Sequence, residues 1–99
     1  MGSKSEFKVA LVGYGLAGAV FHAPLIKTTS GLKLSAIVTR SPEKQAQAKA
    51  DFPEARIYSH FEQMLTDKES YDLAVIATPN KEHAKQAKEA MNSGLAVVV

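Results

Sequence analysis

The sequence contains no cysteine, which excludes disulfides, thiolate metal sites and a cysteine nucleophile and is compatible with a cytoplasmic location. No apolar run approaches the ~20 residues that a membrane-spanning helix needs. The net charge is only +2, and acidic and basic residues are interspersed. The sequence therefore has neither a basic stripe for nucleic acid nor a polybasic membrane patch. Its 99 residues predict one domain at most.

Other familiar sites are also missing. Residues 1–6 are polar and lack the apolar core of a signal peptide, so we interpret them as a disordered leader or a remnant of cloning. No phosphate-binding Gly-x-x-x-x-Gly-Lys-Ser/Thr motif is present, which disfavours a P-loop NTPase. The three histidines, His22, His60 and His83, are scattered and have no cysteine partner, so no metal site is predicted.

The most informative stretch joins an apolar run to a glycine cluster. Phe7–Val12 is predicted to be a buried strand, and Gly13, Gly15 and Gly18 follow it in Gly-x-Gly-x-x-Gly spacing. The first glycine allows a tight turn, the second lets phosphates approach the backbone, and the third lets the following helix pack closely on the strand. The start of that helix presents unpaired N–H groups, which favour an anion such as a pyrophosphate.

Strands and helices are predicted to alternate along the rest of the chain. A helix is predicted over 16–21, ended or kinked by Pro24, with a second helical segment to about Thr29. Further strands are predicted over 32–39, 56–59, 72–78 and 95–99. Further helices are predicted over 43–52, capped by Ser41 with Pro42 in its first turn, around Phe61, Met64 and Leu65, and over 81–93, where His83, Ala87, Ala90 and Met91 recur at helical spacing. This alternation predicts an α/β fold with a Rossmann-type doubly wound parallel sheet in the order 3-2-1-4-5. A ligand is expected at the carboxyl ends of strands one and four, where the order reverses.

The tip of the second strand bears on the choice of dinucleotide. An NAD site usually has a carboxylate there for the ribose hydroxyls, but this tip reads Thr39-Arg40-Ser41. Arg40 offers a planar fork of donors and Ser41 adds a hydroxyl, which suits a 2′-phosphate. We therefore expect NADP(H) to be favoured over NAD(H).

Several of these segments together resemble the N-terminal domain of the glucose–fructose oxidoreductase / inositol dehydrogenase / MocA family. The resemblance covers about residues 7 to 99 and rests on Gly-Tyr-Gly-Leu-Ala-Gly at 13–18, Phe-His-Ala-Pro-Leu-Ile at 21–26, Thr-Arg-Ser-Pro-Glu-Lys at 39–44 and Asp-Leu-Ala-Val-Ile-Ala-Thr-Pro-Asn at 72–80 with His83. It implies a Rossmann domain followed by a larger α/β domain. It also implies hydride transfer between a nicotinamide and a hydroxyl carbon of a sugar, polyol or related compound.

The resemblance also implies the positions of the cofactor-binding residues. Gly13, Gly15, Leu16 and Ala17 would meet the pyrophosphate, with Gly18 behind them; Thr39, Arg40 and Ser41 would meet the adenosine end; Thr78, Pro79, Asn80 and His83 would line the nicotinamide-ribose side. In such enzymes the fifth strand runs into a Glu-Lys-Pro or Asp-Lys-Pro motif with a catalytic lysine, whereas this sequence stops at Val97–Val99. We therefore expect a truncated cofactor-binding domain, without catalytic residues or a substrate domain, that does not turn over substrate alone.

Two other functions stay open. The family includes a non-catalytic regulator, so the chain could belong to a dinucleotide sensor instead of an enzyme. S-adenosylmethionine-binding domains also use a glycine-rich first turn, but they typically place an acid where Arg40 stands.

Surface predictions complete the interpretation. The open fifth strand is expected to be an apolar edge that promotes self-association. The acids Asp51, Glu54, Asp67 and Asp72 and the lysines Lys81, Lys85 and Lys88 are expected to be solvated.

Overall fold

The computed structural model describes residues 6–15, 17–78 and 80–98. Within these residues five strands form one parallel sheet: β1 (Phe7–Val12), β2 (Leu32–Val38), β3 (Arg56–Tyr58), β4 (Leu73–Ile76) and β5 (Ala96–Val98). Their order is β3-β2-β1-β4-β5, which confirms the predicted doubly wound α/β fold. β1 matches the prediction, β2 and β3 are each one residue shorter, and β4 is three residues shorter. β5 begins one residue later than predicted, and Val99 lies outside the described residues.

Helices connect the strands at the predicted places. They are a π-helical segment (Ala17–His22) that continues into α1 (Ala23–Thr28), α2 (Pro42–Asp51), α3 (Phe61–Thr66) and α4 (Asn80–Asn92), with a single 3₁₀ turn at Lys68–Ser70 that the sequence pattern did not predict. None of the helices in the described part of the chain is long and apolar enough to cross a membrane.

Pro24 explains the change of winding in the first connection. A proline has no N–H and its ring crowds the carbonyl four residues earlier, so a regular α-helix cannot run through it unbroken. The structure places Pro24 in the first turn of α1, where the missing N–H costs little, and winds the preceding segment as a π-helix. The predicted interruption at Pro24 is thus confirmed as a change of helix type.

The core consists of two apolar clusters, one on each face of the sheet. Val9 and Leu11 of β1 point into the cluster beneath α1 and α2, whereas Ala10 and Val12 point into the cluster beneath α3 and α4. All four are buried. Covering both faces requires side chains of both directions to be apolar, which is why Val9–Val12 is an unbroken apolar run; Phe7 and Lys8, at the start of β1, are exposed.

Two side chains have surroundings that the sequence pattern did not specify. Met91 is 57% exposed, because α4 packs on the sheet through the small residues Ala87 and Ala90 and Met91 lies further around the helix. Among the acids expected to be solvated, Asp67 accepts hydrogen bonds from the hydroxyl of Tyr58 at 2.7 Å and from Arg56 at 3.2 Å.

Asp72 and Asp51 also have protein partners. Asp72 accepts a 2.8 Å hydrogen bond from the backbone N–H of Lys8, which ties the start of β4 to β1. Asp51 accepts one from Tyr14, described below. Glu54 is 84% exposed in its side chain and only loosely paired with Lys33, so it matches the prediction of a solvated acid.

Candidate functional site

Backbone hydrogen bonds join the carboxyl ends of the strands where the sheet order reverses. The Gly13 N–H donates to the Val38 carbonyl at 2.8 Å, and the Ala77 N–H donates to the Val12 carbonyl at 2.8 Å. The loops that follow β1, β2 and β4 therefore leave from one edge of the sheet, as the sequence predicted.

The three glycines of the motif after β1 have different surroundings. Gly13 has φ = +101°, and a Cβ there would lie 3.1 Å from the backbone carbonyl group of Ala77. A Cβ on Gly18 would collide with the Gly13 carbonyl oxygen, so this position sets the close packing of the helix on the turn. A Cβ on Gly15 would meet no protein atom within 4 Å, which leaves its backbone open to a ligand.

Tyr14, between the first two glycines, links the turn to α2, which covers one face of the sheet. Its side chain is buried, and its hydroxyl donates a 2.7 Å hydrogen bond to Asp51 Oδ2 at the end of α2. Burial raises the pKa of Tyr14, and the hydrogen bond to Asp51 and its negative charge act in the same direction. The tyrosine therefore remains a neutral donor and holds the glycine turn in place.

A cleft of about 740 Å³ opens above this edge of the sheet. This size suits a small-molecule or cofactor site. The cleft is lined by the glycine turn and by side chains from the loops after β2, β3 and β4 and from α4: Val12, Gly13, Tyr14, Gly15, Val38, Thr39, Arg40, Ser41, Lys44, Ser59, His60, Phe61, Glu62, Ala77, Thr78, Lys81, Glu82, Lys85, Gln86 and Glu89. Basic and acidic groups both contribute to it.

Side-chain hydrogen bonds hold the tip of β2 at one end of the cleft. Gln45 Nε2 donates to the Thr39 carbonyl at 2.7 Å and to Ser59 Oγ at 3.1 Å, which joins the ends of β2 and β3. Ser41 is the N-cap of α2, as predicted, and its Oγ accepts from the Lys44 N–H at 3.4 Å. Residues 39–41 all line the cleft.

Arg40 reaches across the cleft toward α4. Its Nη2 lies 3.9 Å from Oε2 of Glu82, which belongs to the first turn of α4. Both side chains are largely exposed, with 72% of Arg40 and 49% of Glu82 accessible. The tip of β2, which has no acid in its own sequence, thus has a carboxylate beside it in space.

The opposite wall of the cleft carries the other predicted residues. The Thr78 hydroxyl donates to Gln86 Oε1 at 2.7 Å, which links the end of β4 to α4. Leu16 and Pro79 lie outside the described residues, as do the side chains of Ala17, Asn80 and His83. Gly18 lies behind the turn, against the Gly13 carbonyl.

The sequence interpretation missed part of the cleft wall. Lys81 and Lys85, which were expected to be ordinary surface lysines, line the cleft, and so do Lys44 and Gln86. The spacing of Lys81 and Lys85 by four residues, directly after the tip of β4, is a signal that could have found them.

Comparison with known proteins identifies the fold and its family. The chain is 41% identical over 94 residues to the oxidoreductase YdgJ of Escherichia coli (strain K12), a match that covers 95% of this chain and 26% of that protein. It is 33% identical over 92 residues to the scyllo-inositol 2-dehydrogenase (NADP(+)) IolW of Bacillus subtilis (strain 168), covering 93% and 25%. The sequence model of the oxidoreductase family with an NAD-binding Rossmann fold, the glucose–fructose oxidoreductase / inositol dehydrogenase / MocA family, matches residues 7–99.

The chain belongs to this family. The structure agrees: an apo scyllo-inositol dehydrogenase from Lactobacillus casei superposes with a TM-score of 0.84 at 28% identity, over 96% of this chain and 28% of that one. The chain is thus an NAD(P)-binding Rossmann domain of this oxidoreductase family, and it spans about a quarter of the length of the curated relatives it matches.

Proposed function

We propose that this domain binds NADP(H) in preference to NAD(H) and serves an oxidoreductase that acts on a sugar, a polyol or a related hydroxyl compound. The observation that supports it most is the cleft where the sheet order reverses, with the open backbone of Gly15 on its floor and the guanidinium of Arg40 at one end. The inositol dehydrogenases among the relatives support the substrate class, and the name of the Bacillus subtilis relative supports the phosphorylated cofactor.

The described residues suit a dinucleotide. The lack of a Cβ at Gly15 leaves room for a pyrophosphate against the backbone, and Arg40 with Ser41 offers donors to a 2′-phosphate. The basic side chains Lys81 and Lys85 add positive charge along the cleft. Hydride transfer is the chemistry that a nicotinamide supplies when bound; the role proposed for this domain is to bind and orient it.

Cofactor preference is tested by calorimetry with the folded chain. NADPH is expected to bind more tightly than NADH, and Arg40→Ala is expected to weaken NADPH by roughly tenfold while it changes NADH much less, since about 1.4 kcal/mol of charge-assisted hydrogen bonding is lost. Lys33→Ala, which removes a positive charge remote from the cleft, is the control. Equal losses for both dinucleotides would contradict the proposed role of Arg40, and binding of S-adenosylmethionine instead of either would contradict the proposed function.

A non-catalytic dinucleotide sensor is the second candidate, because such a protein only has to bind the dinucleotide. We propose that residues 7–99 bind the dinucleotide but do not turn over substrate by themselves, since none of them matches the catalytic lysine that the resemblance implies. An NADP(H)-linked assay over a panel of sugars and polyols tests this, with the Gly15→Ala variant as a blank. Turnover well above that blank would contradict the proposal.

A further inference from the structure

We propose that Glu82 is a cofactor-specificity residue: its carboxylate, paired with Arg40 across the cleft, competes with the 2′-phosphate of NADP(H) and disfavours the phosphorylated dinucleotide. This inference rests on the proposed function of the cleft. It concerns an acid that comes from α4, so the sequence around the tip of β2 gives no sign of it.

The two partners approach from opposite walls. Arg40 follows β2 and Glu82 lies in the first turn of α4, which follows β4. β1 lies between these two strands, so the pair extends over the end of β1 and the glycine turn. Both residues line the same cleft, so the ion pair lies within the proposed dinucleotide site, with its guanidinium at the end proposed for the adenosine.

The pair is loose enough to exchange partners. Its N–O separation of 3.9 Å exceeds that of a charge-assisted hydrogen bond, about 2.7–2.9 Å, and both side chains are largely solvated. Exposed ion pairs of this kind contribute little to stability. A phosphate can therefore take the guanidinium of Arg40 from Glu82 without disturbing the fold.

The carboxylate affects the two dinucleotides in opposite ways. A 2′-phosphate carries close to two negative charges, so it loses affinity beside Glu82 both through repulsion and because Arg40 is already paired. An unphosphorylated ribose offers hydroxyl donors, which a carboxylate accepts, and this is how acids at the tip of the second strand select NAD. Glu82 thus supplies, from another element, the acid that Thr39-Arg40-Ser41 lacks, and it limits without reversing the preference for NADP(H) proposed from Arg40.

Calorimetric titrations of NADPH and NADH into the parent chain and the Glu82→Gln variant test the inference. The ratio of NADPH to NADH affinity is expected to rise roughly three- to tenfold at low ionic strength, and the gain is expected to shrink in 0.5 M salt as charges are screened. Glu69→Gln, which removes the same charge from an exposed site outside the cleft lining, is expected to change the ratio less than twofold. Circular dichroism of each variant verifies that it is folded.

The outcomes separate this inference from the proposed function. If neither dinucleotide binds the folded parent chain, the proposed function fails. If both bind and Glu82→Gln leaves their affinity ratio within twofold of the parent, Glu82 has no role in specificity and only this inference fails. In an Arg40→Ala background the effect of Glu82→Gln is expected to be smaller, and a full effect there would overturn the role of the ion pair.

Discussion

Gly15 and Gly18 belong to the same glycine motif but have different surroundings, which allows folding and ligand binding to be tested separately. The site of a Cβ on Gly18 is filled by the carbonyl oxygen of Gly13, whereas the site of a Cβ on Gly15 opens onto the cleft. A methyl group at Gly18 must displace backbone atoms, whereas a methyl group at Gly15 occupies only space that a ligand would use.

We expect Gly18→Ala to lower the free energy of unfolding by about 1–3 kcal/mol, because the new methyl group overpacks a backbone contact. We expect Gly15→Ala to remain within about 1 kcal/mol of the parent chain in stability but to lose at least roughly tenfold in dinucleotide affinity. Urea unfolding and calorimetry measure the two effects. Equal destabilisation by both variants, or unchanged binding by Gly15→Ala, would contradict this assignment.

Tyr14 links the glycine turn to α2 and makes stability depend on alkaline pH. Because its pKa is raised in the folded chain by burial and by Asp51, the unfolded chain releases this proton first, starting near pH 10. The stabilising contribution of the hydrogen bond is thus complete below about pH 10 and is lost as pH rises toward the raised folded pKa.

We expect Tyr14→Phe to cost about 1 kcal/mol of stability at pH 8, since a hydrogen bond to a partly solvated carboxylate is lost. Between pH 8 and pH 10.5 the parent is expected to lose more stability than the variant does. Tyr71, whose pKa is also raised by burial and by its hydrogen bond with Tyr58, continues to contribute in both proteins. Parallel pH profiles from urea unfolding would rule out the role of Tyr14.

The start of α2 combines helix capping with a surface of the cleft. Ser41 caps the helix through the 3.4 Å hydrogen bond from the Lys44 N–H, and it also lines the cleft beside Arg40. One hydroxyl therefore has a structural role that the structure shows and a binding role that we propose. Alanine and glycine substitutions distinguish the two, because glycine caps a helix nearly as well as serine does.

We expect Ser41→Ala to destabilise the chain by about 0.5–1 kcal/mol, at the low end for a cap because the hydrogen bond is long, and Ser41→Gly by only a few tenths. Both variants lose the hydroxyl, so both are expected to weaken NADPH about threefold, whereas NADH affinity stays close to the parent value. Chemical unfolding and calorimetry report the two properties. A loss of NADPH affinity in the alanine variant alone would indicate that only the cap matters.

Among the described residues, β5 is the strand at one edge of the sheet. It pairs with β4 on one side, and Val98 is 49% exposed. An open apolar edge strand pairs readily with another chain. We therefore propose that this chain self-associates through β5.

Sedimentation velocity over a range of concentrations is expected to show reversible association of the parent chain. A charge at the edge opposes strand pairing, so Val98→Lys is expected to shift the equilibrium toward monomer. Phe7→Lys, at another exposed apolar residue outside β5, is the control and is expected to leave association unchanged. A parent that stays monomeric at every concentration would contradict the proposal.

Much of this molecule follows from local pattern. The apolar run of β1 predicted a buried strand, Ser41-Pro42 predicted the start of α2, and the alternation of elements predicted the sheet order. These features depend on residues close together in the chain, where periodicity and capping chemistry act directly. The glycine spacing and the motifs that indicate the family are likewise formed by residues close together in the chain.

Contacts between distant segments could not be read in this way. The packed sheet alone brings three pairs of residues together: Arg40 with Glu82, Tyr14 with Asp51, and Tyr58 with Asp67, to which it donates a hydrogen bond. An acid or a lysine has the same sequence signature whether it faces solvent or a cleft. Its environment is set by the crossing of elements, and for this reason the charges of the cleft became visible only in three dimensions.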